Sequence, residues 1–309
     1  MKYYFIVNPA SRTGKGRNLW DELEEKLSGS KTDYEVFFTK KNESASKIAE
    51  EICREHPEIK RIVVVGGDGT VNEVINGLSD YGKIIFGHIP TGSGNDLARG
   101  LGIPSDYAKA FGHVLHPAEI RKVDHCLLEY LDNDEPARKF AVSAGMGYDA
   151  DICYHVQKSP LKKILNKFGS GSSIYFLMGI KLIFANRRAK MTLTIDGKRR
   201  IVCEKAVFVT AMNTLYEGGG VPMAPGADPT DGKLTLCVVN NISRLQHCML
   251  MTAAKKGEHI KSKGVEIISC RSVEIESDRP LVLHTDGEIA GKHRHIRMSC
   301  LPEQIRMMV

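Results

Sequence analysis

The chain has 309 residues, 42% hydrophobic and 26% charged, an ordinary globular composition at a length that favours two cores over one. Forty-three basic against 37 acidic residues give a formal charge of +6, a balance suited to an anionic partner such as a nucleotide or an acidic membrane surface. Aromatic residues make up 7% and no basic run interleaves with them, which argues against nucleic-acid binding.

Residues 2–7 read as an apolar strand ending at Asn8-Pro9, too brief and too poorly bounded for a signal peptide. Leu19, Leu23 and Leu27 share one stripe and predict a helix over 19–27. A strand is expected at 34–38, a helix at 44–55 and a strand at 61–65. That last run, with Ile62, Val63, Val64 and Val65 in sequence, lacks polar alternation and reads as buried on both faces. It ends on Gly66-Gly67-Asp68-Gly69-Thr70, where glycines let the backbone turn sharply and approach something bulky and anionic. Thr70 and Glu73 have the spacing of a capping box, predicting a helix over 70–78 whose free amides face the same turn. A strand at 84–89 then runs into Pro90-Thr91-Gly92-Ser93-Gly94-Asn95-Asp96 and a short helix at 95–101, capped by Ser93 and closed by Gly102 and Pro104. This rhythm predicts an open, mostly parallel α/β sheet with ligands gathered at the carboxyl ends of its strands.

The character changes after about residue 120. Runs at 123–131, 140–144, 191–195, 206–212, 234–239 and 265–275 are β-type, with turns at Asp196-Gly197 and Asp231-Gly232. They predict a mainly antiparallel β domain with a helical insert at 149–185. The expected division is an α/β domain over 1–125, with a C-terminal return at about 290–309, and a β-rich domain over 126–289. Within the insert, 174–185 is the nearest approach to a membrane span, but it is short and carries Lys181, so no transmembrane helix is expected. Eight scattered cysteines without a Cys-x-x-Cys or a zinc-ligand spacing read as reduced thiols of a cytosolic protein.

An acid among phosphate-seeking amides has a natural reason in a magnesium ion bridging to a nucleotide phosphate. Asp68 and Asp96, on neighbouring strand-end loops, suit one magnesium with retained waters; the plainer reading of Asp96 is a first-turn acid favoured by the helix dipole. The first loop, Asn8-Pro9-Ala10-Ser11-Arg12-Thr13-Gly14-Lys15-Gly16, is rich in small, hydroxyl and basic residues. It lacks the Gly-Lys-Ser/Thr ending of a P-loop, so Asn8 and Ser11 are its better ligand candidates. Lys15 is either a solvated lysine or a neutraliser of phosphate charge. These features point to a kinase.

Gly66–Thr70 continuing as Val71-Asn72-Glu73-Val74, and Pro90–Asp96 continuing as Leu97-Ala98-Arg99, closely resemble the diacylglycerol kinase catalytic domain. More narrowly they resemble the soluble bacterial lipid kinases, relatives of sphingosine and ceramide kinases. The likeness continues through Gly145-Met146-Gly147-Tyr148-Asp149-Ala150, Asn213-Thr214-Leu215-Tyr216-Glu217-Gly218-Gly219-Gly220, Asp231-Gly232-Lys233-Leu234 and His284-Thr285-Asp286-Gly287-Glu288.

The resemblance implies an NAD kinase/diacylglycerol kinase-like fold and the use of ATP and magnesium. It assigns ATP binding to Asn8, Pro9, Ala10, Ser11, Arg12, Thr39, Gly66, Gly67, Asp68, Gly69, Thr70, Val71, Asn72 and Ser93. It makes Asp286 and Glu288 the catalytic acids, Glu288 being the base that takes the lipid hydroxyl proton. Asp68, Asp96 and Asp124 match a magnesium–water network, and a structural magnesium maps onto Asp231 with the carbonyls of Asp228 and Lys233. By the residues alone, Asp231-Gly232 and Asp286-Gly287 are plain turns and Glu288 a surface acid. Arg12 stands near a position where the family often carries glycine.

The expected activity is transfer of the ATP γ-phosphate to the hydroxyl of diacylglycerol or a related lipid, by a cytoplasmic enzyme transiently at the inner membrane face. Leu161, Ile164, Leu165 and Phe168 form a stripe with Lys162, Lys163 and Lys167 off it, read equally as a helix on an anionic bilayer or as a core-facing helix. A homodimer is an open possibility. Two other readings stand beside this one: an NAD kinase, against which residues 213–220 and 231–234 speak, and a non-catalytic nucleotide- or lipid-binding regulator, which needs no proton acceptor.

Overall fold

The computed structural model describes residues 2–40, 44–159, 171–185 and 188–309. They divide into two compact units, Met1–Val123 with Glu303–Val309, and Asp124–Pro302. Leu161, Ile164, Leu165, Phe168, Lys162, Lys163 and Lys167 lie outside the described residues.

The first unit alternates β1 (Tyr3–Val7), α1 (Ser11–Gly14), α2 (Gly16–Ser28), β2 (Tyr34–Phe38), α3 (Ala45–Glu55), β3 (Lys60–Gly66), α4 (Asp68–Gly77), β4 (Ile84–Pro90), α5 (Asp96–Leu101) and α6 (Tyr107–Leu115). β4, β3, β1 and β2 lie side by side in that order, all parallel, and the chain's last residues add Arg306 and Met307 beside Ile85 and Phe86 of β4. Every residue of β1 is buried, as a parallel sheet covered on both faces requires. The apolar stripe of α2 places Leu19, Leu23 and Leu27 in the core with Trp20, whose ring lies 4.9 Å from that of Phe5.

Two helix starts differ from expectation. α4 begins at Asp68 after Gly67, and no side chain caps it. Thr70 Oγ1 instead accepts the side-chain amide of Asn8 at 2.9 Å, and Glu73 Oε2 accepts the Ala45 amide at 2.8 Å. The capping-box glutamate therefore serves a neighbouring helix, α3. Ser93 likewise does not cap α5; Asn95 is its N-cap, with φ 52°, and its side chain bonds both the amide and the carbonyl of Gly92 at 2.9 Å. α6, capped by Asp106, was not expected; its start lacks a capping box.

The second unit takes in most of β5 (Ile120–Tyr130) and β6 (Arg138–Phe140), β7 (Ser143–Gly147), α7 (Tyr148–Lys158), α8 (Gly171–Ala185), β8 (Ala189–Ile195), β9 (Arg199–Met212), β10 (Leu234–Asn240), α9 (Arg244–Ala254), β11 (Val265–Cys270), β12 (Ser272–Thr285) and β13 (Glu288–Met308). Its strands run in the order β11-β10-β9-β7-β12-β13, antiparallel, with β8 bonded to β9 and β12. One core cluster includes Phe140, Leu193, Leu236, Ile275 and Ile296; a second packs Tyr148 and Ile183 with Phe208 and Val239.

Two runs read as single strands are each broken. The amides of Ala141, Val142 and Ser143 turn to the carboxylate of Asp286, which separates β6 from β7. The amides of Arg271 and Ser272 turn to Asp196 Oδ1, which separates β11 from β12. The return to the first unit begins at Glu303 rather than near 290, because β13 stays paired with β12 as far as Ser299. No helix among the described residues is long and apolar enough to cross a membrane.

Candidate active site

In the first unit the strand-end loops are cross-tied. Asn8 continues the β1 ladder through its amide to Val65, accepts the Ala10 amide at 3.0 Å, and reaches Thr70 with its side chain. Thr91 Oγ1 donates to Ser11 Oγ at 2.9 Å, tying the loop after β4 to the loop after β1. Thr39, at the end of β2, gives its amide to Val7. Gly66, Gly67 and Gly69 are absent from the positive-φ positions, so the turn itself does not demand glycine. Space does. A Cβ on Gly67 would come within 2.9 Å of the Gly92 Cα, and one on Gly66 within 2.7 Å of the Thr70 Cβ.

Asp68 holds the next loop. Its Oδ2 accepts the Asp96 amide at 3.1 Å and its Oδ1 the Leu97 amide at 3.3 Å. One acid thus caps α5 from outside that helix and ties the start of α5, where Asp96 is buried, to the start of α4. A carboxylate oxygen that accepts one backbone amide keeps further lone-pair capacity, so the Asp68 side chain is chemically suited to a hydrated divalent cation. His88, buried behind the loop, bonds the Gly66 carbonyl at 3.1 Å; burial lowers its pKa to about 4, so it donates as a neutral ring. Arg12 has φ 50°, a conformation that glycine adopts without strain, and its guanidinium lies 5.5 Å over the Tyr107 ring. Pro9, Ala10 and Ser93 lie at or near the surface, whereas Val71 and Asn72 are buried within α4.

In the second unit, Asp286 and Gly287 have φ 50° and 82° and join β12 to β13, pairing Thr285 with Glu288. The two catalytic candidates differ sharply in surroundings. Asp286 accepts three backbone amides, from Ala141, Val142 and Ser143, at 2.8 to 3.0 Å, and acts as a bracket for the hairpin. Glu288 is exposed, and its Oε2 accepts Gln157 Nε2 at 3.2 Å. Gln157 also donates to the Gly287 carbonyl at 3.2 Å, and sequence reasoning did not find it because a lone glutamine on a helix carries no motif.

Asp124 is buried and accepts the Gly232 amide at 2.7 Å, while its own amide donates to Pro229 at 2.7 Å. It therefore anchors the loop that contains Asp228, Asp231 and Lys233, all exposed. Asp228 Oδ1 accepts the amide and hydroxyl of Thr230, and Asp231 Oδ1 accepts the Lys233 amide at 2.9 Å.

The model of the diacylglycerol kinase catalytic domain matches residues 2–128, and that of the YegS C-terminal NAD kinase beta sandwich-like domain matches residues 141–309. The chain belongs to this diacylglycerol and lipid kinase family. A diacylglycerol kinase of Staphylococcus carnosus is 29% identical over 290 residues, covering 93% of this chain and 88% of its own. The fold matches a crystal structure of a diacylglycerol kinase from Bacillus anthracis with a TM-score of 0.70 at 21% identity, over 99% of this chain and 96% of that one. An NAD kinase from Archaeoglobus fulgidus, in complex with ATP, matches at 0.51 and 13% identity, over 100% and 94%. These two likenesses show the fold: a mixed α/β first domain and an antiparallel, sandwich-like second one. Membership makes the family kinase a phosphotransferase with ATP as donor.

Proposed function

We propose that the protein is a magnesium-dependent diacylglycerol kinase that converts the lipid's free hydroxyl to a phosphate ester, giving phosphatidic acid. The observation that carries this reading is Glu288, an exposed carboxylate at the start of β13, held by Gln157 within an Asp-Gly-Glu turn. Such a group can accept the proton that the attacking hydroxyl must lose as the new phosphorus–oxygen bond forms and the bond to ADP breaks.

The triphosphate is assigned to the cross-tied loops, with Asn8, Pro9, Ala10, Ser11, Arg12, Thr39, the 66–72 stretch and Ser93 as its ATP contacts. Magnesium, held by Asp68 and Asp96 through water, would neutralise phosphate charge; Asp124 and the 228–233 loop supply a second, structural cation position. Asp286 supports Glu288 by fixing the hairpin. The protein works from the cytoplasm on lipid at an anionic membrane surface, as a peripheral enzyme.

The deciding experiment supplies radiolabelled ATP with diacylglycerol, monoacylglycerol, ceramide, sphingosine and phosphatidylglycerol in separate mixed micelles, and with NAD. Label in phosphatidic acid is the expected result. Label in another lipid would change the substrate, and label in NAD alone would end the lipid-kinase assignment.

A further inference from the structure

Three motif segments that phosphoryl transfer leaves without a task meet at one buried point of the second unit. They are the turn from β7 into α7, the loop after β9, and the end of β12. His284 is fully buried, and its Nε2 lies 3.3 Å from Asp149 Oδ2 and 3.1 Å from Glu217 Oε1. Asp149 Oδ2 also accepts the Thr210 hydroxyl, and Oδ1 accepts the Ala150 amide at 2.8 Å. Asp149 sits in the first turn of α7, where the helix dipole favours a charged carboxylate. Gly145 makes room for the pair, because a Cβ there would collide with both Asp149 Oδ2 and His284 Nε2.

The other ring nitrogen identifies the tautomer. Nδ1 of His284 faces the Gly287 amide at 3.3 Å. A backbone N–H only donates, so Nδ1 is the acceptor and the ring proton sits on Nε2. This tells against a metal among Asp149, Glu217 and His284, a group whose ligand atoms lie within 4.8 Å of one another. Coordination through Nε2 would require that nitrogen to lose its proton and Nδ1 to carry one.

Burial and hydrogen bonding act together on this group. Burial raises the Glu217 carboxyl. Burial alone would lower the imidazole, but its hydrogen bonds to Asp149 and Glu217 outweigh that and raise it too. A second ring proton would have to sit on Nδ1, against the Gly287 N–H, and the hydrogen bond from that amide opposes it. Cys153 and Cys237, the nearby thiols, are raised by burial to about 11 and about 12 and stay neutral.

We propose that His284 is a positioning residue for Glu288: bracketed by Asp149 and Glu217 as the Nε2–H tautomer, it accepts the Gly287 amide and fixes the turn that Glu288 follows. The path is continuous, since the Gly287 carbonyl holds Gln157, which holds Glu288 Oε2. The role rests on Glu288 being the catalytic base.

Asparagine and glutamine at position 284 separate the two ends of the ring. Asn places an acceptor where Nδ1 lies, while Gln reaches only toward Nε2. His284→Gln is expected to lose about 100-fold in kcat with KM for ATP unchanged, the scale of a misplaced catalytic group. His284→Asn should recover about 10-fold of that loss. Equal rates in the two variants, over an inactive Glu288→Ala, would overturn the positioning role alone. A Glu288→Ala enzyme with near-normal turnover would overturn the base assignment and the positioning role together.

Because either variant at 284 can fail to fold, nitrogen NMR of the histidine-labelled wild-type protein tests the same point without substitution. An unprotonated Nδ1 and a protonated Nε2 at neutral pH are expected. A doubly protonated ring, or a ring signal that changes on treatment with a chelator, would overturn the proposal.

Discussion

Asp68 and Leu97 are joined by a 3.3 Å hydrogen bond from the Leu97 amide to Asp68 Oδ1, so an acid in the first turn of α4 closes the open end of α5. The bond explains why a carboxylate sits among glycines even before any ion is considered. It also means that Asp68 has two separable tasks, one structural and one electrostatic.

Asp68→Asn keeps an acceptor for the α5 amides but removes the charge. Stability should fall by about 1 kcal/mol or less, the scale of a lost or weakened cap. Turnover with magnesium–ATP should fall at least about 100-fold if the charge organises the ion. Urea unfolding and steady-state kinetics read the two tasks separately, and a variant with near-normal rates would leave Asp68 as a cap only.

Glu288→Gln preserves size and the partner Gln157 while abolishing proton acceptance. KM for ATP should stay within about threefold and kcat should drop about 100- to 10,000-fold, the range for removal of a general base. Initial-rate measurements at saturating lipid decide it. A kcat near wild type would transfer the base to another group.

Much of the first unit was legible in sequence, because burial on both faces gives runs such as Ile62–Val65 that admit few other readings. The capping box at Thr70 and Glu73 was legible but misdirected, since spacing along the chain cannot reveal that α3 lies within reach of Glu73. The broken strands were not legible either. Nothing local in residues 140–144 or 265–275 signals a break, because the acceptors that pull the backbone out of line, Asp286 and Asp196, are 143 to 145 and 75 to 76 residues away. For the candidate site, loop composition singled out Asn8, Ser11, Asp68 and Asp96 as candidates. Gln157 and the partners of His284 emerge only when the chain is folded.

Glu73→Ala removes the acceptor at the start of α3 and takes that partner from the amide of buried Ala45. Because Glu73 is itself exposed, the loss should be about 0.5 to 2 kcal/mol of stability, as for other helix caps. Turnover at a temperature well below unfolding should be unchanged. A large loss of kcat with normal stability would instead give Glu73 a part in nucleotide binding.

His88 and His247 predict an acid-side loss of stability with a defined sign. Burial lowers His88 to about 4; burial, and then the Arg188 charge, lower His247 to about 3. A depressed folded pKa means that the unfolded chain binds the proton first as pH falls. The contribution is therefore complete above about pH 6.5, the unfolded value, and is lost as pH falls toward 4 and then 3. Within that window each ring contributes a slope of up to about 1.4 kcal/mol per pH unit. His88→Gln can still donate to the Gly66 carbonyl but does not titrate. Urea unfolding at pH 7 and pH 5 should show a smaller acid loss in this variant than in the wild type. Equal losses in the two proteins would mean that His88 carries its proton in the fold, with its Gly66 bond made by a charged ring.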